Sequence, residues 1–321
     1  MKPLRWGILG AANFALHHMG PAIHAAKGAS LCALATSNPT KAAAFGAFVP
    51  DIKIYESYDS LLAANDIDAV YIPLPNHLHV EWTLRALEAG KHVLCEKPIT
   101  LMASDFDRLI DARENSGLLV AEAFMIVHHP QWARARDIVA SGVLGRLRHV
   151  AATFSFYNDD ATNIRNIAAA GGGGLRDIGI YAFGSTRFVT RQEPRVITHA
   201  KAAYENGVDV FAQVAAEFDD FDFSATISMR MFPRQEFVIH GEKGVLKLSC
   251  PFNPSVHAQA ELHLETDTHT ITTQRFPSIN HYVMQVEAFG RSVTDGSPYA
   301  CPLEFSKGTQ QMIDMVFAEL T

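Results

Sequence analysis

The chain reads GILGAANFA at residues 7–15, directly after the apolar residues of a short predicted strand. A strand that runs into a glycine turn and then a helix is typical of dinucleotide-binding folds, in which the helix N-terminus faces the pyrophosphate. Two alanines stand where this pattern prefers glycine, so an ordinary strand–helix turn is the competing interpretation. The segment predicts a phosphate-binding turn whose candidate contacts are Gly10, Ala12, Asn13 and Phe14.

The first third of the chain repeats this strand-then-helix pattern. Predicted strands cover residues 4–9, 31–36, 69–72, 92–95 and 118–121. Predicted helices cover residues 13–26 (bent or broken at Pro21), 41–48, 58–64, 78–89 and 103–116. Short strands that alternate with helices indicate βαβ units around a parallel sheet, and nearly all-apolar strands suit a sheet covered on both faces. Residues 1–123 are therefore predicted to form a Rossmann dinucleotide-binding domain of the α/β class.

Beyond residue 123 the hydrophobic period changes to two. Apolar residues alternate with others over 148–156 and 208–218, and an Asn-Gly pair at 206–207 predicts a hairpin turn before the second run. Further alternating segments cover 225–231, 236–240, 245–248, 262–266 and 270–274, and predicted helices cover 130–141, 283–293 and 304–320. Residues 124–321 are therefore predicted to form an α+β domain with a large, mostly antiparallel open sheet.

Composition narrows the class of protein. The 321 residues are 48% hydrophobic and 19% charged, as in globular chains, and the formal net charge of −7 argues against nucleic acid as a main partner. The four cysteines are far apart and form no Cys-x-x-Cys, which fits a reducing compartment. The sequence shows neither a signal-peptide core nor an apolar run long enough to cross a membrane. We therefore expect a cytoplasmic protein without a membrane segment.

The end of the second predicted strand bears on the choice of cofactor. Enzymes that use NAD usually hold the adenine ribose with an acidic residue at this point. Here the chain reads ATSNPTK at residues 35–41, with hydroxyls, an amide and a lysine but no carboxylate. Such donors suit a 2′-phosphate, although a solvated helix face is the other explanation for Lys41. The sequence predicts NADP as the preferred cofactor, with NAD as the alternative, and Thr36, Ser37 and Lys41 as contacts.

A lysine follows the predicted strand at residues 92–95, where the chain continues as Glu-Lys-Pro. In open α/β sheets, ligands bind outside the carboxyl ends of the strands. Lys97 is therefore predicted to hydrogen-bond a substrate oxygen and stabilise its developing charge, while Pro98 fixes the chain, with a cis bond as one way of doing so. The competing interpretation is a surface lysine at a strand end. Glu96 is a further candidate contact for the cofactor.

The loop after the third predicted strand reads PLPNHLH at residues 73–79, at the same edge of the sheet. Leu74 and Pro75 are predicted to form a wall for the nicotinamide ring, with Asn76 as a polar anchor. His79 is a further candidate cofactor contact. Carboxylates and cysteines do not accompany the two histidines of this loop at ligand spacing, so no metal site is predicted.

Asp177 and Tyr181 stand four residues apart, just after a glycine run at residues 171–174. If a helix begins here, both side chains lie on one face. A nearby cation such as Lys97 would lower the pKa of the phenol, which makes Tyr181 a candidate acid/base and Asp177 a candidate catalytic partner. The alternative is a helix cap at Asp177 and a half-buried core tyrosine, and spacing alone favours that alternative.

These segments together resemble the glucose–fructose oxidoreductase / inositol dehydrogenase / MocA family over nearly the whole chain. The resemblance is nearest to the branch of dimeric dihydrodiol dehydrogenases and NADP-dependent xylose-type dehydrogenases. A Glu-Lys-Pro followed by an Asp-x-Gly-x-Tyr is a specific combination. The motifs that carry the resemblance are WGILG (6–10), PNHLH (75–79), CEKP (95–98), EAFM (122–125), GGLRDIGIY (173–181) and GEKG (241–244).

The resemblance implies a Rossmann domain and a second domain whose open sheet shields the active site on one face. The other face of that sheet would form a homodimer or homotetramer, and the C-terminal helix would pack back on the first domain. By the same resemblance, Lys97 polarises the oxygen of the reacting carbon, Tyr181 is the general acid/base and Asp177 supports substrate hydroxyls. The family transfers a hydride between nicotinamide C4 and a carbon of a sugar or cyclic polyol.

Two departures from the family pattern bear on the substrate. Ile126 and Val127 replace a Tyr-Arg pair that is frequent in this branch, and Ser37 stands where arginine is usual. The leading hypothesis is an NADP-preferring dehydrogenase of a sugar, sugar lactone or related polyol. A trans-dihydrodiol dehydrogenase is the second, because two apolar side chains tolerate a less hydroxylated substrate. A non-catalytic nucleotide-binding regulator is the third, and the presence of all three catalytic candidates argues against it.

Overall fold

The structure is a computed structural model that describes residues 2–254, 256–267 and 269–320. Its strands are β1 (Leu4–Leu9), β2 (Ala29–Ala35), β3 (Lys53–Tyr55), β4 (Ala69–Ile72), β5 (His92–Cys95), β6 (Val120–Glu122), β7 (Leu147–Tyr157), β8 (Val196–Glu205), β9 (Val208–Glu217), β10 (Asp222–Ser228), β11 (Arg230–Gly241), β12 (Val245–Leu248), β13 (Ala260–Asp267) and β14 (Thr270–Phe276). Its α-helices are α1 (Gly20–Ala25), α2 (Pro39–Gly46), α3 (Tyr58–Leu62), α4 (His79–Glu88), α5 (Asp105–Ser116), α6 (Pro130–Ala140), α7 (Ile180–Thr190), α8 (His281–Asp295) and α9 (Leu303–Glu319). Segments of π-helix, Ala15–Met19 and Leu175–Gly179, precede α1 and α7.

The first compact unit comprises the residues up to His128 together with Asn280–Ser306. Its parallel sheet has the order β3-β2-β1-β4-β5-β6, so the direction of strand addition reverses between β1 and β4. Ile8 and Val70 on these strands have no exposed surface, as expected for a sheet covered on both faces. The predicted Rossmann fold is confirmed. Sheets of this topology bind dinucleotides beyond the carboxyl ends of the strands at the reversal point.

Helix α8 belongs to this first unit. The ring of Phe289 on α8 lies 5.0 Å from the ring of Trp6 on β1, measured between centroids. On the same helix, the carboxylate of Glu287 accepts a hydrogen bond from the backbone N–H of Lys27 at 3.1 Å. Residues late in the sequence therefore supply part of the packing around the first strand.

The last helix is divided between the units. Leu303 is buried in the apolar core of the first unit, whereas the helix from Lys307 onward belongs to the second. Thus α8 and the first turn of α9 lie in the first unit, and most of the C-terminal helix does not. The compact units differ in this respect from the sequence-predicted domains of residues 1–123 and 124–321. The difference arises because side chains distant in sequence complete the first core.

The first helical segment is irregular before Pro21 rather than at it. A π-helical turn spans Ala15–Met19, and α1 begins at Gly20. Pro21 follows this π-helical turn directly and lies inside a helical run that spans residues 13–25, so its missing N–H removes one intrahelical hydrogen bond. A Cβ at Gly20 would come within 2.7 Å of the carbonyl oxygen of Ala15, so the wide turn needs a glycine at its end. The predicted irregularity is found, and it lies in the turn directly before Pro21, where a proline disturbs the helical hydrogen bonds.

The second compact unit comprises His129–Ile279 and the residues from Lys307 onward. Its sheet has the order β14-β13-β12-β11-β7-β10-β9-β8, and its described pairs are antiparallel apart from β7 with β10. The predicted, mostly antiparallel sheet is confirmed. Asn206 and Gly207 form the β8–β9 hairpin turn with φ values of 50° and 81°, which is the conformation that an Asn-Gly pair favours.

The two faces of this sheet differ. On one face, the ring of Phe237 lies 5.0 Å from that of Trp132 on α6, and the ring of Phe154 lies 4.9 Å from that of Phe252. The opposite face presents small, half-buried side chains on the central strands, namely Ala151, Thr153, Ser224 and Thr226. The alternation of burial along β7 matches the period-two pattern in the sequence.

Among the described residues, no helix is both long and apolar enough to cross a bilayer. The side chains of Cys32, Cys95, Cys250 and Cys301 are thiols that form no disulfide. Over the same described part of the chain, His, Cys, Asp and Glu side chains do not gather in groups of three or more that could hold a metal ion.

Candidate active site

Three loops of the first unit follow neighbouring strands at the carboxyl edge of the parallel sheet. Strand β4 pairs with β1 on one side and with β5 on the other. The turn at Gly10 follows β1, residues 74–76 follow β4, and residues 96–97 follow β5. The fold thus brings together most of the first-unit residues that the sequence predicted.

Gly10 has a backbone conformation that favours glycine. Its φ is 104°, and a Cβ on it would lie 2.9 Å from Cδ2 of Leu74 and 3.3 Å from the hydroxyl of Tyr58. Its N–H donates to the carbonyl oxygen of Ala35 at 3.0 Å, which ties the turn to the end of β2. The turn therefore packs closely against the loop after β4, and Gly10 itself presents only backbone atoms there.

The residues that follow this turn open the first helix. Ala12 is half-buried and Asn13 is exposed, so their backbone lies at the surface of the unit. The ring of Phe14 packs edge-on against Tyr282 at 5.6 Å, which anchors its side chain. For Phe14, the backbone rather than the ring is left as the candidate cofactor contact.

Replacing Gly10 with alanine should weaken cofactor binding by about 10- to 100-fold and destabilise the fold by about 1–3 kcal/mol, the cost of a non-glycine residue held in a sparsely populated conformation. The new methyl group would also displace Leu74, the predicted nicotinamide wall. Isothermal titration with NADP and urea unfolding measure the two effects. Gly46→Ala is the matched control, because a Cβ there meets nothing within 4 Å. Equal NADP affinity in the two variants would contradict the assignment of this turn.

The end of β2 holds the residues predicted to contact a ribose phosphate. The Thr36 hydroxyl accepts the N–H of Asn38 at 3.2 Å, and the Asn38 side chain accepts the N–H of Lys41 at 3.1 Å. Asn38 is thus committed to capping α2. The side chains of Ser37 and Lys41 are exposed beside this helix start. A hydroxyl and an ammonium at a helix N-terminus are suited to a phosphate group.

His79 lies behind the loop after β4. Its side chain has no exposed surface, and its Nδ1 and Nε2 atoms each lie 2.7 Å from a carbonyl oxygen, of Pro98 and Leu74 respectively. Burial lowers the pKa of His79 to about 4, while the two carbonyl groups act in the opposite direction. The ring therefore ties two loops of the site together. The neutral ring has one N–H and can donate it to one of these two carbonyl oxygens. Because the side chain has no exposed surface, the direct cofactor contact predicted for it is corrected to a supporting role.

The remaining residues of that loop are closer to the surface. Leu74 is buried against the glycine turn, whereas Pro75 and Asn76 are half-buried. Ile126 and Val127, which replace a polar pair in the family pattern, are buried in a short 3-10 turn of the same unit. These apolar side chains therefore contribute to packing.

Glu96 and Lys97 lie where β5 ends. The hydroxyl of buried Tyr71 donates to Oε1 of Glu96 at 2.6 Å, and burial raises the pKa of Tyr71 well above its usual value. The Lys97–Pro98 peptide bond is cis, and the Lys97 side chain is half-buried. Glu96 is thus held by the neighbouring strand, and the lysine that follows it projects from a fixed segment.

Glu122 begins the EAFM motif, but the sequence alone gave it no role in the site. It ends β6, is 3% exposed, and accepts the backbone N–H of Ile99 at 2.9 Å and a hydrogen bond from Ser306. Burial raises the pKa of this carboxyl group, and the charge of Lys97 acts in the opposite direction. Glu122 therefore anchors the chain that follows Lys97. Its position at the carboxyl end of a predicted strand is the feature of the sequence that could have identified it as a site residue.

Asp177 lies in the second unit, in the π-helical segment Leu175–Gly179 that leads into α7. Its side chain is 9% exposed, and Oδ2 accepts a hydrogen bond from Nε of Arg165 at 2.6 Å. The ion pair accounts for an aspartate at this buried position and orients its carboxylate. Arg165 had no distinguishing signal in the sequence, since it lies in a short 3-10 turn outside any motif.

Tyr181 lies in the first turn of α7. It is 5% exposed, and its ring centroid lies 5.6 Å from that of Phe154 and 5.8 Å from that of Phe252. The aromatic cluster fixes the ring, as the packing interpretation anticipated. Such packing is compatible with catalysis, because a held ring places the phenolic oxygen at a defined point.

The order of the parallel sheet, the glycine turn at its reversal point and the exposed helix start define a dinucleotide-binding protein. Residues 4–124 match the family model described as "Oxidoreductase family, NAD-binding Rossmann fold", and residues 132–247 match the "GFO/IDH/MocA C-terminal domain". The chain belongs to the GFO/IDH/MocA family of oxidoreductases. The family resemblance drawn from its motifs is confirmed.

Similar proteins of this family act on sugars. The chain is 33% identical to "D-xylose 1-dehydrogenase (NADP(+)) 2" of Haloferax volcanii, over 98% of this chain and 96% of that protein. It is 31% identical to a "dTDP-3,4-didehydro-2,6-dideoxy-alpha-D-glucose 3-reductase" of Actinomadura kijaniata, over 100% of this chain and 96% of that protein. A crystal structure of KijD10, a 3-ketoreductase from Actinomadura kijaniata in complex with NADP and TDP-benzene, superposes with a TM-score of 0.91 at 30% identity, covering 99% and 98% of the two chains.

Proposed function

We propose that this protein is an NADP-dependent oxidoreductase that transfers a hydride between the nicotinamide and a hydroxyl- or carbonyl-bearing carbon of a sugar or related polyol. The observation that carries the proposal is Lys97 at the carboxyl end of β5, two strands from a glycine turn in a sheet of dinucleotide-binding order. The similarity to the xylose dehydrogenase and to KijD10 supports a sugar as the substrate and NADP as the cofactor.

Two residues of KijD10 support the catalytic assignment. Variants of that enzyme at one lysine and at one tyrosine have been crystallised with NADP and TDP-benzene. Those two positions are separated by the same number of residues as Lys97 and Tyr181. Equal spacing in chains that align over nearly their whole length is expected when the residues correspond.

The first unit fits NADP. Leu74 and Tyr58 lie so close to Gly10 that no side chain fits there, as expected for a turn whose backbone approaches a pyrophosphate. Ser37 and Lys41 offer exposed hydrogen-bond donors at the end of β2. Leu74 and Pro75 would face the nicotinamide. When bound, NADP supplies or accepts the hydride at nicotinamide C4. NAD is the alternative, because the end of β2 has no arginine for a 2′-phosphate.

Each of the three catalytic candidates has a chemical task. In the oxidising direction, Tyr181 takes the proton of the substrate hydroxyl while the hydride leaves the same carbon, and in the reducing direction it returns that proton. The Lys97 ammonium donates a hydrogen bond to the reacting oxygen and stabilises its partial negative charge. Asp177 accepts hydrogen bonds from neighbouring hydroxyl groups of the substrate. Together these roles conserve protons and charge in both directions.

A second candidate function is reduction of a keto group on a nucleotide-linked sugar. The similarity to KijD10 over 99% of this chain favours it. Both functions use the same proton and hydride transfers and differ in what is attached to the sugar. We also propose that the chain forms a homodimer or homotetramer through the face of its second sheet that carries Ala151 and Thr226, because small side chains there allow close approach of a second copy.

A substrate panel tests the proposal. Purified protein should reduce NADP with at least one aldose or polyol, or oxidise NADPH with a nucleotide-linked keto sugar, and should prefer NADP to NAD by about tenfold or more, the size of one charge-assisted phosphate contact. Preference for a trans-dihydrodiol over every sugar would identify the dihydrodiol alternative. Tight NADP binding without turnover on any substrate would identify a regulator.

A further inference from the structure

Asp209, at the start of β9, lies buried beneath the glycine run that precedes the catalytic helix. Its side chain is 3% exposed. Its Oδ2 atom accepts the backbone N–H of Leu175 at 2.6 Å, and the carboxylate also accepts the N–H of Gly174. A carboxylate from a distant strand thus occupies the place of a helix N-cap, where free N–H groups and the helix dipole favour negative charge.

This contact explains the glycine run, to which the sequence interpretation assigned no task. Gly173 has φ of 123°, and a Cβ on it would lie 2.2 Å from Oδ1 of Asp209. A Cβ on Gly172 would lie 2.4 Å from the carbonyl oxygen of Arg165. The backbone passes so close to both partners that a side chain at either position would displace it.

The same turn fixes the two residues assigned to the substrate. The N–H of Asp177 donates to the carbonyl oxygen of Gly173 at 3.0 Å, and the Asp177 carboxylate is paired with Arg165. The helical segment then continues without a break into α7, which carries Tyr181. Movement of the turn therefore moves both side chains.

We propose that Asp209 is a positioning residue for the reaction: its carboxylate fixes the turn that sets the places of Asp177 and Tyr181. The inference rests on the proposed function, which assigns those two side chains to the substrate. Asp209 itself contacts neither substrate nor cofactor in this account. Its effect is transmitted through the backbone of Gly173, Gly174 and Leu175.

Asp209→Asn tests the proposal. The carboxylate accepts the backbone N–H groups of Leu175, Gly174 and Asp209 itself, whereas an amide has one oxygen for these three donors and adds an NH₂ group of its own. We expect kcat to fall about 10- to 100-fold, as for misplacement of catalytic groups by about 1 Å. The Kd of NADP, which the first unit binds, should stay within about twofold. Asp222→Asn is the matched control, since Asp222 is an exposed carboxylate on the adjacent strand β10.

Gly173→Ala disturbs the same contact from the other side and leaves the carboxylate in place. It should lower kcat with NADP binding retained, as Asp209→Asn does. Gly142→Ala is its control, because Gly142 also has a positive φ, of 73°, but a Cβ on it meets nothing within 4 Å. An equal fall of kcat in both variants would point to the strain of an alanine at a positive φ rather than to the contact with Asp209.

The pH dependence provides a readout that a purely structural role would not change. Burial raises the pKa of Asp209 to about 6, and the charged and titratable groups that act on it or respond to it are Arg176 and Tyr204. The wild-type kcat should rise as pH increases through about 6, and this limb should be absent in Asp209→Asn.

Because the folded pKa lies above the unfolded value, the contribution of Asp209 to stability is fully present below about pH 4 and is lost as pH rises through about 6. The thermal midpoint of wild type should therefore fall relative to that of Asp209→Asn over this interval.

The outcomes separate this inference from the proposed function. A wild-type protein without turnover on the panel would overturn the proposed function and, with it, this inference. An active wild type with an equally active Asp209→Asn would overturn the inference alone. Failure of both Asp209→Asn and Gly173→Ala to fold would also overturn it, because the turn would then serve the fold of the unit rather than the placement of two side chains.

Discussion

Replacing Lys97 with alanine should lower kcat about 10²- to 10³-fold, the usual effect of removing one donor from a developing oxyanion. The side chain is half-buried and projects from a segment that Glu96 and Glu122 hold by other contacts, so the fold should survive its loss. The Kd of NADP, measured by quenching of tryptophan fluorescence, should change much less than kcat. Steady-state kinetics on the preferred sugar, in both directions, measures the effect.

Two further variants sharpen the test of Lys97. Lys97→Arg keeps the charge but presents a planar fork in place of a compact ammonium, so it should recover part of the activity at most. Lys27→Ala removes an exposed lysine of the same unit and should behave as wild type. If Lys97→Ala retained kcat within about threefold of wild type, the lysine would be a surface residue at a strand end, which is the interpretation that its sequence position alone allows.

The sequence predicted local features of the fold better than distant ones. The Gly10 turn, the strand before Lys97 and the Asn206-Gly207 hairpin depend on short-range chemistry, and each is found. Strands β3 and β8 were not identified. Each is the edge strand of its sheet, and most of its residues are exposed. Its side chains therefore lack the apolar pattern by which a strand is recognised.

Contacts between distant segments account for the other differences. Helix α8 joins the first unit because Phe289 packs against Trp6, and nothing near either residue in the sequence indicates that pairing. Sequence patterns specify which face of an element is buried but leave its partner open.

The same limit applies to the candidate site. Lys97, Asp177 and Tyr181 were singled out because their residue types and spacing suggest chemistry. The groups that support them were not, because Asp209 lies 34 positions from Leu175, and Glu122 lies 23 from Ile99. Supporting carboxylates of this kind differ from solvated ones by burial and by the backbone N–H groups they accept, and both properties exist only in the folded chain.

Replacing Tyr181 with phenylalanine should lower kcat about 10²- to 10⁴-fold, the range for loss of a general acid/base. The ring remains packed against Phe154 and Phe252, so the thermal midpoint should stay close to that of wild type. Tyr157→Phe removes the hydroxyl of an exposed tyrosine in the same unit and serves as the control. An unchanged rate in Tyr181→Phe would leave this residue with a packing role alone.

Combining Tyr181→Phe with Lys97→Ala tests whether the two residues serve the same substrate oxygen, although they belong to different compact units. Groups that act together on one transition state give strongly non-additive losses, because removing either one already forfeits their shared stabilisation. We therefore expect the double variant to lose far less than the product of the two single effects. If the losses instead multiplied, the ammonium and the phenol would act independently, and proton transfer to the oxygen polarised by Lys97 would have to be assigned to another group.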